Sequence, residues 1–521
     1  MACGKWASPI FRKLGRAAVG RLGTSNFAAR LFERIGERSD LIDAATGEAI
    51  GGAQVPARIA AFAAGFRDAG IEPGQRLILG CNLSPLSTLA YLGAIYAGLT
   101  VVPVNERTLP SAGKALLGRV SARAIWSERT GALDWARHED CLRLSGASEE
   151  FVGQLPPPAA VRDDDLAALM PTSGSTGAPR LVMVSHANLI ANTEAIVRSQ
   201  SLAHDERAML ILPISYCFGA SIVHTHLYQG GSVVYDSRFM FPDKVLQAVA
   251  THGCTTFAGV PTVYSILLHR SHLGSIPMPG LRRFLQAGGH LPMQQIREVR
   301  TRAPEVPFFV MYGQTEATSR ISCLSPAELD RKAGSVGLPL DNLEVRIVDE
   351  EGQEAAAGRP GELQVRGPSV CRGYFAEPRE SARRWRDGWL STGDVASRDP
   401  EGYLWIVGRK GEFLKMRGVR IGFAEIEARV CAIAGVAECA AAAAEHDEAG
   451  ESIELFIVAA YGGGDLADAV RRQLPRDWIC GPIHVVAQLP RNAHGKLERA
   501  RLRGLVPEAA AGGSDRPGAA A

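Results

Sequence analysis

The residues best suited to chemistry fall in four short runs. The first, Pro171–Arg180, reads PTSGSTGAPR. Thr172, Ser173, Ser175 and Thr176 bring hydroxyls, and Gly174 and Gly177 bring backbone that can approach a ligand closely. Backbone N–H groups and hydroxyls arranged this way can cradle phosphate oxygens. The run is not a Walker A loop, because the GxxxxGK[ST] spacing fails and Pro179 stands where a helix would begin. The second run is Tyr312-Gly313-Gln314-Thr315-Glu316. Its ring can stack on a base, its threonine can donate to a phosphate, and its glutamate can help hold Mg²⁺, a hard cation that prefers oxygen ligands and substrate phosphates.

The third run is Ser391-Thr392-Gly393-Asp394, followed by Tyr403 and Gly408-Arg409. An ionised aspartate is purely an acceptor and suits a pair of ribose hydroxyls, and Arg409 can add a charge-assisted bond. The fourth, Pro490–Leu497, puts Lys496 in a turn beside Gly495. Taken singly, such a lysine is an ordinary solvated charge. The force of the argument lies in the four runs occurring in this order.

The elements that must position them are legible from periodicity. Val55–Ala69 reads as a helix, Arg76–Gly80 as a buried strand, Ser84–Ala97 as a helix and Thr100–Val104 as a strand. This alternation specifies an α/β sheet. Leu166–Met170 and Leu181–Ser185 read as strands, which makes the hydroxyl-rich run the tip of a hairpin. Short strands are predicted again at Met209–Pro213, Gly231–Asp236, Thr255–Val260, Leu285–Gly288 and Phe308–Tyr312. From Gly334 to Trp405 the texture becomes short strands with Gly and Pro turns, as in a small β-rich subdomain. A compact α+β stretch follows Arg409–Gly418. The organisation expected is a loose leader over 1–30, a large domain over 31–409, a small lid domain over 410–507 and a disordered Ala/Gly tail over 508–521.

Together the four runs resemble the adenylate-forming superfamily: acyl-CoA synthetases, nonribosomal peptide adenylation domains and firefly-type luciferases. The resemblance spans roughly Ala53 to Arg503. It implies a large N-terminal α/β domain with a small β-barrel and a mobile C-terminal α+β lid. It implies ATP, Mg²⁺ and a thiol acceptor, either coenzyme A or the phosphopantetheine of a carrier protein. Residue by residue, Thr172–Gly177 correspond to the phosphate loop, with Arg180 where relatives carry lysine. Gly288 and Gly289 correspond to the segment along the adenine, Tyr312 and Gly313 to further nucleotide contacts, and Thr315 to a catalytic residue. Glu316 corresponds to the metal-binding glutamate, Asp394 and Arg409 to the ribose site, and Lys496 to the catalytic lysine. Gly411 holds the hinge position about which relatives rotate the lid between half-reactions. Lys415, Gly418 and Arg420 fall where relatives place contacts to the nucleotide and the thiol tunnel.

The segment Pro213–Ser221 resembles the family's substrate-side motif. Tyr216 takes the place of a histidine between acid and thiol, and Phe218, Ser221, His224 and Gly259 are candidate pocket residues. Relatives that activate amino acids carry an aspartate where Gly219 stands. A buried ammonium without a carboxylate partner is costly, so the reading favours an aryl or fatty acid over an amino acid. His224 and His226 read as ordinary helix residues.

Composition removes other classes. A formal net charge of +2 gives no reason to expect nucleic acid as partner. Ten scattered cysteines without CxxC pairs or metal-ligand spacing indicate a reduced, cytoplasmic protein. No apolar run reaches the roughly 18 residues of a membrane span. The basic N-terminus, with Lys5, Arg12, Lys13, Arg16 and Arg21, lacks the apolar core of a secretory signal. An oxygen-using luciferase chemistry has no residue pattern pointing to it, and a decayed scaffold is disfavoured because all four motifs keep their form.

Overall fold

The computed structural model describes residues 25–137, 139–146, 155–172, 180–416, 419–446, 450–460, 466–475, 478, 480–491 and 497–505. Ser173–Gly177, Gly418 and Lys496 lie outside the described residues, as do the side chains of Lys415 and Arg420. By its internal contacts the chain divides into two units. The first takes residues up to Arg346, Gln364–Thr392 and Gly402–Leu404; the second takes Ile347–Leu363, Gly393–Glu401 and everything from Trp405 onward. The second unit thus begins to collect residues ahead of the Arg409 boundary expected from sequence.

The first unit is built on two large sheets. One has six strands in the order Leu142–Ser145, Ala124–Ser127, Arg76–Cys81, Thr100–Asn105, Leu166–Thr172, Arg180–Ser185. All neighbours are parallel except the last pair, an antiparallel hairpin with Thr172 opposite Arg180. The other has nine strands, and its centre is parallel: Phe308–Tyr312, Arg283–Gln286, Thr256–Gly259, Arg207–Leu210, Ser232–Tyr235 and Leu41–Asp43. Strands such as Thr100–Asn105 are buried along nearly their whole length. That explains their continuous Val-rich pattern, since a sheet covered on both faces has no polar side to alternate with.

Local chemistry sets the helix limits. Ser84 accepts a hydrogen bond from the Ser87 N–H, Pro85 occupies the first turn of the helix Pro85–Tyr96, and Gly98 follows it at φ 76°. These are the expected N-cap, first-turn and post-helix residues. Ser185 and Asn188 form a reciprocal capping box at the start of His186–Ser199. The Asn188 amide then donates to the carbonyls of Pro368, at 2.8 Å, and Val370, at 3.2 Å, tying that helix to a distant loop.

The sequence assigned residues 1–30 to a leader, but the chain joins the core earlier. Phe27, Ala28, Ala29 and Leu31 of the helix Phe27–Phe32 are buried. The Asn26 amide donates to the carbonyls of Ile95 and Tyr96 at 3.1 and 3.2 Å. The physical reason is the apolar face of FAARLF, which the basic residues before it obscured.

The second unit has its own core: Leu414, Ile426, Val430, Ile453, Leu455, Ile457 and Val470 are buried together. The alanine run Ala440–Ala444 lies inside the strand Val436–His446, paired antiparallel with Gly450–Ala459. Small side chains there leave room for the helix Phe423–Cys431, whose Glu427 accepts from the Ala441 N–H at 2.8 Å. Arg499 anchors the C-terminal end by pairing with Glu427, at 2.6 Å, and Glu412, at 3.4 Å.

Candidate active site

In the first unit the candidate residues collect at the C-terminal ends of parallel strands, where open α/β sheets bind ligands. The strand Phe308–Tyr312 ends in Gly313 and a single turn, Thr315–Ala317, and Ile321 N–H returns to the Tyr312 carbonyl at 2.8 Å. Gly313 is obligatory here: a Cβ would sit 1.9 Å from the Ser319 carbonyl oxygen. Gly313→Ala is therefore expected to cost about 3 kcal/mol, since backbone rather than a side-chain end must move. A fall in thermal midpoint with loss of ATP protection would show it; an unchanged midpoint would refute it. Thr318 holds φ 66°, an uncommon conformation for threonine, and its hydroxyl bonds the Ser369 carbonyl at 2.7 Å.

Glu316 is buried and held on one side. Its Oε1 accepts from the Tyr374 hydroxyl at 2.6 Å and from Arg384 at 2.8 Å, while Oε2 accepts nothing among the described residues. Arg384 also donates to Tyr374, at 2.6 Å, to Gln314, at 3.1 Å, and to the carbonyls of Ser391, at 3.0 Å, and Thr392, at 2.5 Å. The guanidinium thus fixes the carboxylate's orientation with one oxygen left to a ligand. Burial, and next the Glu316 charge, push the Tyr374 hydroxyl well above its usual range, so it stays a donor. No group of three or more His, Cys, Asp or Glu side chains that could by itself hold a metal ion exists among the described residues. A lone carboxylate oxygen of this kind suits a cation that keeps waters or phosphates for its other ligands.

Arg180 closes the hairpin opposite Thr172, whose hydroxyl donates to the Arg180 carbonyl at 3.4 Å. Its guanidinium pairs with Glu380 at 2.9 Å and Glu377 at 3.4 Å and lies 5.2 Å from the Tyr374 ring centre. The residue expected on phosphate therefore rests on two carboxylates beside the short helix Pro378–Arg384, which also supplies Arg384. These partners were not legible in the sequence. PRESARR reads as an unremarkable charged helix, and only the tertiary fold gives Tyr374, Glu377, Glu380 and Arg384 their places.

Gly288 adopts φ 87° just beyond the strand Arg283–Gln286. Gly289 is exposed beside it, and its carbonyl accepts from the Gln286 amide at 2.8 Å. Thr315 directs its hydroxyl at the Cys217 sulfur, 3.5 Å away. Cys217 opens the helix Cys217–Tyr228, with half-buried Tyr216 at its N-cap and buried Phe218 in its first turn. Gly219 faces backbone: a Cβ there would lie 2.3 Å from the Pro213 carbonyl oxygen. Close packing is thus sufficient reason for glycine at this position. His224 and His226 are buried in the same helix, and burial lowers their imidazoles to about 3 and about 4, so both are neutral at pH 7.

In the second unit Asp394 is buried and accepts from Arg409 Nε at 3.2 Å. The Lys410 N–H donates to the Gly393 carbonyl at 2.8 Å, keeping the two strand ends in register. Gly411 follows at φ 94°, exposed, with no atom within 4 Å of where a Cβ would be. Around the expected catalytic lysine, Arg491 bridges to Leu497 and the Glu498 N–H donates to the Pro490 carbonyl at 2.9 Å.

Comparison with known proteins decides the family. A profile described as AMP-binding enzyme matches residues 32–375, and its C-terminal domain matches 425–496. The chain belongs to the AMP-binding enzyme family. Within this adenylate-forming superfamily it is of the acyl-CoA synthetase type. A feruloyl-CoA synthase from an Amycolatopsis species is 31% identical over 470 residues, covering 88% of this chain and 94% of that protein. Two solved AMP-binding structures agree in fold. ATP-bound MatB from Rhodopseudomonas palustris superposes with TM-score 0.82 at 27% identity, covering 92% of this chain and 98% of that one. The O-succinylbenzoate coenzyme A synthetase of Bacillus subtilis, in complex with ATP and magnesium ion, gives 0.80 at 26%, covering 92% and 99%. The fold class expected from sequence, a large α/β N-terminal domain with a smaller C-terminal domain, is the one observed.

Proposed function

We propose that this AMP-binding enzyme activates an aryl or fatty carboxylic acid with Mg-ATP, releasing pyrophosphate, and transfers the acyl group from acyl-AMP to the thiol of coenzyme A. The observation that carries this reading is Glu316, a buried carboxylate with one oxygen pinned by Tyr374 and Arg384 and the other available. Carboxylate and triphosphate are both anionic, so bringing them together is a matter of positioning and charge neutralisation. Glu316 would hold Mg²⁺, which when bound neutralises phosphate charge. Arg180 would exchange Glu377 and Glu380 for the departing pyrophosphate. Asp394 would accept from the ribose hydroxyls, with Arg409 beside it, and Gly288, Gly289 and Tyr312 would bound the base. Lys496 would meet the acid's carboxylate and the α-phosphate. Tyr216 would separate the acid from the thiol channel.

The domain reading goes with this one. The lid begins after Arg409 and reorients about Gly411. A φ of 94° is closed to proline, whose ring holds φ near −65°. Gly411→Pro is expected to leave acid-dependent pyrophosphate release within about threefold of wild type and to slow thioester formation at least tenfold. Equal loss of both half-reactions would refute a hinge at this position. A reducing, cytoplasmic setting suits the nine described cysteines, all of which are free. No helix among the described residues is long and apolar enough to cross a membrane.

Pyrophosphate release from Mg-ATP, measured across a panel of carboxylic acids with and without coenzyme A, tests the reading. Multiple turnovers only with acid and coenzyme A together support it. A single stoichiometric burst that coenzyme A does not relieve would assign the acyl group to a carrier protein's phosphopantetheine instead. Release driven only by amino acids would overturn the choice of acid.

A further inference from the structure

Arg320 is 1% exposed, yet its guanidinium has no carboxylate partner, and its Nε and Nη2 make no hydrogen bond among the described residues. Its titratable neighbours are the thiols of Cys217 and Cys323, and burial pushes Cys323 up to about 11, leaving it neutral. Burial lowers Arg320 itself only to about 10, so it is charged at pH 7. The Phe218 ring, 4.8 Å from the guanidinium carbon, compensates in part.

Other buried arginines of this chain are used differently. Arg283 is paired with Glu206 and donates to the Gln200 carbonyl, the latter at 2.7 Å, and only its Nε lacks a partner among the described residues. Half-buried Arg384 spends its donors on two side-chain oxygens of the site, Gln314 and two carbonyls. Those are the satisfied contacts of structural and positioning residues. A buried cation lacking them is strongly unfavourable unless a ligand supplies the anion.

The Phe218 ring and the Cys217 thiol beside the guanidinium place that anion on the acid's side of the site. The Arg320 main chain is clamped by Asn192, whose Oδ1 accepts at 3.3 Å and whose Nδ2 donates at 3.0 Å. Asn192, Ser319, Tyr91, His224 and Cys217 line one narrow cleft. In it the Tyr91 hydroxyl, Ser319 Oγ and His224 Nε2 are buried without partners. Cys217 in turn receives the Thr315 hydroxyl, next to Glu316. We infer that Arg320 is an anion-binding residue of the acid pocket and that the acid carries a second anionic group, a carboxylate or sulfonate, away from the carboxyl that is adenylated. This inference rests on the ligase reading and narrows its substrate class.

Matched acids test it: hexanoic against hexanedioic and sulfohexanoic acid, and benzoic against the benzenedicarboxylic acids. Pyrophosphate release is measured with the full chain, and binding by calorimetry independently of turnover. Wild type is expected to favour the dianionic member by about a hundredfold or more in kcat/KM, because a site built to pair a buried group rejects analogues lacking the partner. Arg320→Met is expected to abolish most of that ratio through KM, and Arg320→Lys to restore part of it. The carboxylate and sulfonate arms identify which anion is read. Wild-type preference for the neutral acids would overturn the inference and leave the ligase reading standing. So would equal loss on both members in a folded Arg320→Met. If no acid drives release, the ligase reading fails, and the absence of dianion binding by calorimetry would then overturn the inference too. Should Arg320→Met not fold, the wild-type comparison alone decides.

Discussion

Replacing Lys496 by alanine is expected to slow acyl-AMP formation by about 10²–10³-fold, the usual consequence of losing one charge-stabilising contact in a transition state. The expectation rests on the motif Pro490–Leu497, whose ends are drawn together by the Arg491–Leu497 bridge and the Glu498 to Pro490 hydrogen bond. A lysine here meets two anions, the carboxylate and the α-phosphate, that repel each other as they approach. The second half-reaction makes a different demand. The thiol attacks a mixed anhydride already formed, so synthetic acyl-AMP supplied to Lys496→Ala is expected to yield thioester within about fivefold of wild type. Separate assays of ATP–pyrophosphate exchange and of thioester formation from acyl-AMP check this. Comparable losses in both would remove Lys496 from its role in adenylation alone.

Glu316→Gln is expected to reduce acid-dependent pyrophosphate release by a similar factor, about 10²–10³-fold, and to raise the Mg²⁺ concentration needed for half-maximal rate. The substitution is nearly isosteric. The amide oxygen can still accept from Tyr374 and Arg384, which now reach the carboxylate at 2.6 and 2.8 Å. What is lost is the negative charge and the second ligating oxygen. The thermal midpoint is therefore expected to fall little. Glu316→Ala differs, because it leaves the partly buried Arg384 without its anionic partner, at a cost of about 2 kcal/mol. Activity and stability are thereby separated: a Gln variant as active as wild type, or one as unstable as the Ala variant, would make Glu316 a structural residue only.

The Glu316 argument depends on Arg384 and Tyr374, which no motif identified. The hydroxyl-rich hairpin, YGQTE, STGD and the lysine turn could be read because each is a local run whose residue types make sense together. Their supports could not, because Tyr374 and Arg384 meet Glu316 across sequence separations of 58 and 68 residues. Gly313 belongs to the first kind by its motif and to the second by its reason, since only the returning Ser319 carbonyl shows why no side chain fits. Gly219 shows the limit of reading a specificity position from sequence. Its neighbour is the Pro213 carbonyl rather than open pocket.

The sequence by itself determined the α/β class, the order of the elements, the hairpin of Leu166–Thr172 and Arg180–Ser185, and the family. Periodicity, capping and short polar runs are local properties that survive in one dimension. Only the tertiary structure decided that Phe27–Phe32 joins the core, that Arg180 rests on Glu377 and Glu380, and that Arg384 orients Glu316. It alone left Arg320 buried without a counter-charge among the described residues. Burial and charge pairing are set by residues far apart in the chain, and a charged side chain in a linear sequence carries no mark of which anion it will face.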